Sequence, residues 1–379
     1  MSWFKPENPQ EKVLNSLLSP LSALYFVGTL GRLKGYETRV LRQKALDVPV
    51  ISIGNLTVGG TGKTPITIDV ARMLIQMGHK VGVLSRGFNR QSDEKIVVVS
   101  DGKRLLVDAQ QAGDEPYLIA SKVNGAVVVV SSDRFEAGRV AIKDYGCNIL
   151  LLDDGFQHLK LARNQDVLVY DYNDAPSELK LLPAGRLREP FASISRADYF
   201  VISKLPDNPC PQRMKEIRMM ANRYKPGIAI LTCRFVADGL HRVYNQQNVT
   251  ITTRGEGTRV FAFCGIARPE GFYKNLQELG CVIVGKRTFP DHHWLTQAEM
   301  DRLVKDFEES GAEFLVTTEK DRVRLPAEFI DRVPLAELAL STEWGNGQDD
   351  DMGELRRILK KVRNAKSSSK KVAVAGAAR

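Results

Sequence analysis

Nine consecutive residues carry the clearest chemistry in the sequence: Thr57, Val58, Gly59, Gly60, Thr61, Gly62, Lys63, Thr64 and Pro65. The β-branched run 48–53 before them predicts a buried strand, and the apolar spacing over 66–77 predicts a helix. A glycine-rich loop between such elements directs backbone N–H groups and a helix N-terminus toward phosphate oxygens. Lys63 would reach the outer phosphates and the Thr64 hydroxyl a Mg²⁺ ion, so the sequence predicts a nucleoside triphosphate site.

This loop departs from the G-x-x-x-x-G-K-[ST] pattern at its first position, where Thr57 stands in place of glycine. The three glycines that follow supply the backbone freedom instead. The Gly-Gly-x-Gly-Lys-Thr spelling is similar to the loops of Min/Par-type ATPases, but Val58 replaces their signature lysine. The departure argues against an ATPase of the dimeric Min/Par type.

A second motif that is typical of nucleotide-binding proteins is the apolar run 149–152, which is followed by Asp153 and Asp154. An apolar strand that ends in a carboxylate has the Walker B form, and Mg²⁺ that bridges phosphates prefers such hard oxygen ligands. Neighbouring side chains of a continuing strand point to opposite faces, so we expect one of the two carboxylates to face the metal directly. Gln157 and His158 follow shortly and are predicted to lie beside the metal site.

Two other polar clusters have ordinary structural explanations when each is taken alone. Asp114 and Glu115 begin a predicted helix, at which Asp114 would serve as the N-cap. The loop 289–294 gathers ionisable and aromatic side chains around His292. Neither pattern by itself indicates catalysis.

A third cluster is the turn-rich loop 181–190, which carries Arg186, Arg188 and Glu189. The planar guanidinium group matches phosphate oxygens in a bidentate manner. The loop therefore offers two candidate phosphate ligands.

Charge and cysteine content limit the possible partners and the compartment. Lys and Arg total 54 against 45 for Asp and Glu, so the chain carries a net charge of +9. This excess of positive charge favours acidic partners such as a nucleotide, a nucleic acid or an anionic membrane surface. The five cysteines lack CxxC spacing, which is typical of buried thiols in a reducing compartment. We therefore expect the protein to be cytosolic.

The most apolar stretch of the chain is residues 13–33, which Asn15, Pro20 and Gly28 interrupt. No stretch reaches the roughly 20 apolar residues that are needed to span a bilayer. Leucine and aromatic residues followed by basic residues predict an interfacial helix on anionic lipid. An equally weighted alternative is a helix that caps the nucleotide-binding domain from outside.

The alternation of predicted strands and helices predicts an α/β fold, with a mostly parallel sheet and helices on both faces. Ligands of such sheets lie at the carboxyl ends of the strands. The pattern also predicts a hairpin of residues 96–99 and 104–107, and paired strands over 228–235 and 239–244. A second, smaller α/β unit is predicted to begin at residue 259.

Eight sequence blocks resemble, in this order, those of the tetraacyldisaccharide 4'-kinase family: GNLTVGGTGKTP, SRGF, GDEP, LLLDDGFQH, LLPAGRLREP, FCGIARPEGF, TFPDHHW and TTEKDRVRL. The resemblance implies ATP and Mg²⁺ as cofactors. It also implies transfer of the γ-phosphate to the 4'-hydroxyl of a tetraacylated glucosamine disaccharide 1-phosphate, a late step of lipid A biosynthesis. The expected partners are this lipid disaccharide and the anionic inner-membrane surface, with the enzyme peripheral on its cytoplasmic face.

The same resemblance assigns roles to residues within the matching blocks. It identifies Lys63 and Thr64 as the P-loop pair, Asp153 and Asp154 as the metal-side carboxylates, Asp114 as the proposed base and His292 as the partner of that base. Seven further residues are expected to bind substrate or to assist: Arg86, Glu115, Gln157, His158, Arg186, Arg188 and Glu189. Two roles remain open for the two arginines of loop 181–190, which would bind either the substrate's 1-phosphate or the γ-phosphate.

The domain organisation implied by the sequence and the resemblance has five parts. They are an interfacial helix over 1–34, a P-loop kinase domain over 35–225, a β-strand linker over 226–257, a second α/β domain over 258–363 and a disordered basic tail over 364–379. We expect Asp114 and His292 to meet across the two domains.

Two other classes of protein compete with the kinase hypothesis. A switch ATPase or GTPase would gate a protein partner, but residues 203–207 only approach the N/T-K-x-D loop that reads guanine. A nucleic-acid-binding module would need a basic stripe with interleaved aromatic residues, which the sequence lacks. We therefore expect neither a nucleic acid nor an obligate protein partner.

Overall fold

The computed structural model describes residues 9–244, 247–253, 256–345 and 350–362. The predicted disordered tail over 364–379 lies outside the described residues. No helix within these ranges is long and apolar enough to cross a membrane.

The described residues alternate between strands and helices over most of their length. The helices are α1 (Pro9–Glu37), α2 (Lys63–Gln76), α3 (Ala109–Ala112), α4 (Asp114–Lys122), α5 (Arg134–Lys143), α6 (Pro211–Tyr224), α7 (Glu270–Glu278), α8 (Gln297–Ser310), α9 (Glu319–Arg322), α10 (Ala327–Ile330) and α11 (Asp351–Val362). The strands are β1 (Val50–Asn55), β2 (Val81–Ser85), β3 (Ile96–Asp101), β4 (Val127–Ser131), β5 (Ile149–Asp153), β6 (Gln165–Asp171), β7 (Tyr199–Ser203), β8 (Ala229–Tyr244), β9 (Gln247–Thr253), β10 (Arg259–Cys264), β11 (Val282–Thr288), β12 (Phe314–Thr318) and β13 (Leu335–Trp344).

In the part of the chain that the structure describes, all thirteen strands belong to one sheet. Its order is β11-β10-β12-β13-β8-β7-β6-β1-β5-β2-β4-β3, and β9 pairs with β8. The central strand β1 lies parallel between β5 and β6, with Ile53 opposite Asp153 on one side and Val167 on the other. Among these thirteen strands, antiparallel pairing is confined to β3–β4, β8–β13 and β8–β9. The predicted mostly parallel α/β fold is confirmed.

Alternate residues of the central strands pack on opposite faces of the sheet. Leu151 of β5 and Val128 of β4 share a core with α2 and α4, whereas Leu150 and Val127 share another core with α5. Because side chains of a strand alternate between faces, strands that are apolar throughout need cover on both sides. Helices therefore lie on both faces of the sheet, as predicted.

Strand β8 joins the two parts of the sheet. Its first residues pair in parallel with β7, and its residues from Cys233 onward pair antiparallel with β13. The predicted pair of strands over 228–235 and 239–244 is wrong, because the chain continues as one strand with a bulge at Asp238. A β-bulge lets a strand bend without ending.

We call residues 50–224 the P-loop region and residues 259–362 the C-terminal region. In the C-terminal region, α7 covers one face of β10 and β12, and α8 covers the other. Helix α11 belongs to the C-terminal region by sequence but packs against the P-loop region. Its Leu355, Ile358 and Leu359 lie in the same core as α2. The predicted boundaries between two domains stay a prediction, since the sheet and this core both continue across them.

Helix α1 runs through Pro20 and Gly28, which the sequence pattern led us to treat as interruptions. One side of it contacts the loop 181–188. The hydroxyl groups of Ser22 and Tyr25 donate hydrogen bonds to main-chain oxygens of this loop, at 3.2 and 2.8 Å. The capping arrangement that we considered therefore exists on this side of the helix.

The other side of α1 presents apolar side chains to solvent. The exposed fractions are 51% for Leu21, 70% for Leu24 and 66% for Val27. Leu33, near the end of the helix, is buried. The helix is therefore attached to the protein and still carries an uncovered apolar face.

Two other sequence predictions differ from the structure. The predicted hairpin is wrong in its second half, because β3 pairs with β4 and residues 104–107 contribute only an isolated bridge at Leu105. Strand β13 was not predicted. Its sequence is rich in helix-forming Leu, Ala and Glu, and Glu337 interrupts the apolar pattern although it is fully buried. Charged residues are almost never fully buried unless they are paired, and Glu337 pairs with Lys122 at 2.9 Å.

Candidate active site

The glycine-rich loop has the conformation that the sequence predicts. Helix α2 begins at Lys63, and Gly62 before it is left-handed, with φ of 83°. A Cβ atom on Gly62 would lie 2.4 Å from the ring of Phe235 on β8. Both the backbone angle and this close contact require glycine. The main-chain N–H groups of Gly62, Lys63 and Thr64 lie at this helix N-terminus, where they have no acceptor within the helix and can bind an anion.

The loop 181–190 packs against the entrance to the P-loop. Thr57 forms an antiparallel bridge with Leu187, and the Val58 N–H donates to the Arg186 carbonyl at 2.8 Å. The Arg186 guanidinium donates in turn to the Val58 carbonyl at 2.9 Å and to Asp174 at 2.6 Å. Arg186 thus holds the P-loop in place through its main chain and its side chain.

Asp154 lies just after the end of β5, with φ of 50°. Its Oδ1 lies 3.6 Å from the Lys63 Nζ, and its Oδ2 accepts a hydrogen bond from Arg188 at 2.7 Å. Burial raises the pKa of Asp154, but Lys63 and Arg188 outweigh burial and hold this pKa below its usual range. The carboxylate is therefore ionised beside the P-loop lysine.

Asp153 is the last residue of β5 and is almost completely buried. Its carboxylate accepts hydrogen bonds from Thr67 of α2 at 3.2 Å and from Ser85 of β2 at 3.4 Å. Burial raises the pKa of Asp153 to about 7, and the carboxylates of Glu115 and Asp154 add to this effect. Negative charge thus accumulates at the carboxyl edge of the sheet, where a cation would be stabilised.

The residues present fit a Mg²⁺ ion that is shared with phosphates. The buried Oδ1 of Asp154 accepts no hydrogen bond from the described residues, and Thr64 lies in the first turn of α2. No cluster of three or more His, Cys, Asp or Glu side chains suited to a metal occurs within the described ranges. Mg²⁺ in nucleotide sites needs only one or two carboxylates, because phosphates and waters supply the other ligands.

A second polar centre joins the P-loop region to the C-terminal region. Asp114 is the first residue of α4, so its predicted N-cap position is wrong; the N-cap is Gly113, with φ of 90°. The Asp114 Oδ2 lies 2.8 Å from the His292 Nδ1 and accepts from the Arg324 guanidinium at 3.2 Å. The structure therefore brings the predicted pair into direct contact, and its catalytic role stays a prediction.

The environment of Asp114 favours its charged form. Burial raises its pKa, but His292, Lys320 and Arg324 together hold the pKa below its usual value. Glu115, the next residue, is close enough to Asp153 to raise the pKa of that carboxyl group. The two polar centres therefore lie within electrostatic reach of each other.

Sequence reasoning assigned no role to several residues that reach this site. Lys320 lies in α9 and Arg324 lies two residues after the end of this helix, both within the TTEKDRVRL block that begins in the last residues of β12. The signal was a run of charged residues at the carboxyl end of a parallel strand, where ligands bind in such sheets. Arg268, in the FCGIARPEGF block, was also missed, and it contacts Asp171 at 3.0 Å.

Gln157 and Arg86 both lie close to the end of strand β5, and their predicted roles stay predictions. The Gln157 side chain donates to the Asn55 carbonyl at 2.9 Å and lies 3.5 Å from Arg188. Arg86 follows β2, is exposed, and is near enough to lower the pKa of Arg134. Both are therefore placed for contact with a ligand.

Glu189 and His158 are directed away from solvent instead. The Glu189 carboxylate is 1% exposed and forms an ion pair with Arg196 at 2.7 Å. A buried, paired carboxylate does not bind a ligand directly, so substrate binding by Glu189 does not fit this position, and its predicted accessory role stays a prediction. The His158 Nε2 is buried without a hydrogen-bond partner among the described residues.

The chain is similar to known proteins over most of its length. The model of a family described as tetraacyldisaccharide-1-P 4'-kinase matches residues 14–360. The tetraacyldisaccharide 4'-kinase of Pelobacter propionicus is 40% identical over 334 residues, which are 87% of this chain and 89% of that protein. The enzyme of the same name from Desulfotalea psychrophila is 36% identical over 332 residues, which are 86% and 92% of the two chains.

A solved structure is similar over nearly the same range. It is the crystal structure of LpxK from Aquifex aeolicus in complex with ATP, with a TM-score of 0.72 and 30% sequence identity. The similarity covers 92% of this chain and 99% of that chain.

The burial of His158 generates a prediction about acid stability. Burial, Arg134 and Arg163 lower the pKa of His158 to about 4 from its ordinary 6.5. Between these values the unfolded state binds one proton more, so the stability of the wild type falls as pH decreases, by up to about 1.4 kcal/mol per pH unit. We expect His158→Gln to remove this contribution. The measurement is the free energy of urea unfolding as a function of pH.

The same titration contains its own control. Above about pH 7 both proteins carry an uncharged side chain at position 158. Their plots of unfolding free energy against pH should therefore have the same slope in that range. Equal slopes of wild type and variant between pH 6.5 and 4 would contradict the prediction.

Proposed function

The chain belongs to the tetraacyldisaccharide-1-P 4'-kinase family, and from this premise we propose how its residues carry out the reaction. The protein is a kinase of lipid A biosynthesis. It transfers the γ-phosphate of ATP to the 4'-hydroxyl of a tetraacylated glucosamine disaccharide 1-phosphate. The observation that carries the proposed mechanism is the 2.8 Å contact of Asp114 with His292 across the two regions. On the phosphate side, the P-loop residue Lys63 lies 3.6 Å from Asp154.

The phosphate side is formed by the P-loop region alone. The N-terminus of α2 and the Lys63 ammonium bind and neutralise the phosphate oxygens as negative charge shifts during transfer. Asp153, Asp154 and Thr64 would hold Mg²⁺, which when bound neutralises charge on the transferred phosphoryl group. Arg188, now paired with Asp154 at 2.7 Å, is the arginine placed to reach the γ-phosphate. Arg186 instead keeps the loop in position.

The acceptor side supplies the proton transfer. A sugar hydroxyl is a weak nucleophile near neutral pH, and a carboxylate that accepts its proton in the transition state lowers the barrier. The Asp114 carboxylate takes this role, and His292 orients it through the 2.8 Å hydrogen bond. The proton moves from the 4'-hydroxyl to Asp114 as the new O–P bond forms and the bond to the departing ADP breaks.

We further propose that α1 lies at the cytoplasmic face of the inner membrane. Its exposed Leu21, Leu24 and Val27 form an apolar face that would enter the lipid interface. Basic residues at the end of the helix and after it would approach anionic headgroups. The opposite side of α1 contacts the loop that carries Arg188, so a lipid substrate would reach the site without leaving the membrane surface.

The function is tested with ATP labelled on the γ-phosphate and a purified tetraacyldisaccharide 1-phosphate. We expect the label to enter the lipid. Lys63→Ala should lower kcat by about 10²–10³, since it removes a charge that acts on the transition state. The control is Lys103→Ala, at an exposed turn, which should leave kcat unchanged. Hydrolysis of ATP without any labelled lipid would overturn the kinase assignment.

A double-mutant cycle tests the pair of Asp114 and His292. If the two act as one unit, Asp114→Ala and His292→Ala each lower kcat strongly, and the double variant is hardly slower than Asp114→Ala. We expect Asp114→Ala to be the costlier single change. Melting temperatures are measured in parallel, because Asp114 is buried. Losses of log kcat that simply add would show two independent roles.

The membrane proposal is tested by replacing Leu21, Leu24 and Val27 together with serine. We expect weaker sedimentation with anionic phospholipid vesicles and a higher KM for the lipid, with KM for ATP unchanged. High salt should release part of the wild type, because charge attraction to the surface is screened. Met219→Ser, at an exposed apolar residue of α6, is the control. Equal sedimentation of the triple variant and wild type would exclude this contact surface.

A further inference from the structure

The side chain of Lys320 lies beside the Asp114–His292 pair. Its Nζ is 3.1 Å from the His292 Nε2 and 3.2 Å from a carboxylate oxygen of Glu115. A third contact, to Asp291, is longer at 3.9 Å. Burial lowers the pKa of Lys320, but Glu115, Asp114 and Asp291 together raise it above its usual value. The amine is therefore a charged ammonium group at neutral pH.

The ammonium group determines which ring nitrogen of His292 carries a proton. A charged lysine has three N–H donors and no acceptor, so the Nε2 at 3.1 Å must be the acceptor of this contact. A neutral imidazole then carries its single proton on Nδ1. This proton points to the Asp114 Oδ2 at 2.8 Å. A doubly protonated ring would instead direct an N–H bond at the ammonium group.

We propose that Lys320 is a positioning residue for phosphoryl transfer, which keeps His292 neutral with its Nδ1–H donated to Asp114. The inference rests on the proposed roles of Asp114 and His292. Lys320 acts through His292 and does not touch the reacting atoms.

This arrangement decides which group receives the proton of the sugar hydroxyl. The His292 Nε2 is occupied by Lys320 and its Nδ1 already carries a proton, so the imidazole has no free lone pair. The Asp114 Oδ2 accepts from His292 and Arg324, whereas the Oδ1 accepts only from the Glu115 N–H among the described residues. The Oδ1 of Asp114 is therefore the atom open to the incoming proton. His292 serves as a donor throughout.

Lys320 is itself held by contacts that connect α9 to α4. The Thr318 hydroxyl caps α9 by accepting from the Asp321 N–H at 3.0 Å. Lys122, at the end of α4, pairs with Glu319 of α9 at 2.6 Å and with the buried Glu337 at 2.9 Å. These contacts fix the helix of Lys320 against the helix that begins at Asp114. The Phe88 ring packs against another side of His292, with 5.5 Å between the ring centroids.

The first test reads the tautomer directly by ¹⁵N NMR of histidine-labelled wild-type protein, with His292→Asn used for assignment. We expect a protonated Nδ1 and an unprotonated Nε2 at neutral pH. Lys320→Met, which removes the donor at similar length, should give a mixture of ring forms. A wild-type ring protonated on Nε2 would overturn the proposal, and this measurement needs no folded variant at position 320.

The second test is kinetic. In metal sites, removal of a group that orients a ligating side chain costs roughly 10–100-fold in activity, and we expect a similar factor for the orientation of His292. We expect Lys320→Met to lower kcat by this factor with KM for ATP unchanged. The kcat of Lys320→Arg should lie between that of Lys320→Met and that of the wild type. Lys305→Met, at an exposed lysine of α8, is the matched control and should keep wild-type kcat. A Lys320→Met enzyme with full kcat would overturn the proposal.

A third comparison separates this inference from the proposed function. In a His292→Asn background, Lys320→Met should have little further effect on kcat, because its influence passes through the imidazole. A further loss as large as that in the wild type would show that Lys320 acts independently. If His292→Asn alone kept full kcat, the proposed pair would fail, whereas the NMR result would still report the tautomer.

Discussion

Ion pairs with a buried partner join the two regions of this protein, and the arrangement of the site depends on them. Three of these pairs are Asp114–Arg324, Lys122–Glu337 and Asp171–Arg268. In each pair the carboxylate is almost completely buried. A buried charge that loses its partner costs roughly 3–5 kcal/mol. Separation of the two regions therefore costs free energy unless water or other polar groups replace these partners.

The division of chemistry between the regions follows from this arrangement. Lys63, Asp153 and Asp154 all belong to the P-loop region, so the proposed phosphate side lies within one region. The acceptor side is composite, since Asp114 comes from α4 and His292 from the C-terminal region. If the Asp114–His292 pair acts as we propose, phosphoryl transfer needs both regions in contact, whereas phosphate binding needs only the P-loop region. An enzyme built in this way gains protection against transfer to water when the acceptor side is open.

The phosphate-binding motifs were predictable from the sequence because the interactions that define them involve residues close together in the chain. A strand, a glycine loop and a helix N-terminus bind phosphate wherever they occur, and Asp153 at the end of an apolar run needed no tertiary information. Features set by distant contacts were not predictable. Glu337 looks like a solvent-facing residue until Lys122 is placed beside it, and Glu189 looks accessible until Arg196 pairs with it. The continuity of β8 was hidden because its second partner comes from residues 335–344.

Helix α11 has a consequence for the synthesis of the protein. Leu355, Ile358 and Leu359 complete a core that otherwise belongs to the P-loop region, and Asp351 binds Thr232 of β8 at 2.7 Å. Domains usually fold as the ribosome releases them, from the N-terminus onward. Here the P-loop region stays with uncovered apolar surface until residue 362 has left the ribosome. A chain that stops before α11 would therefore leave part of this apolar core open to solvent.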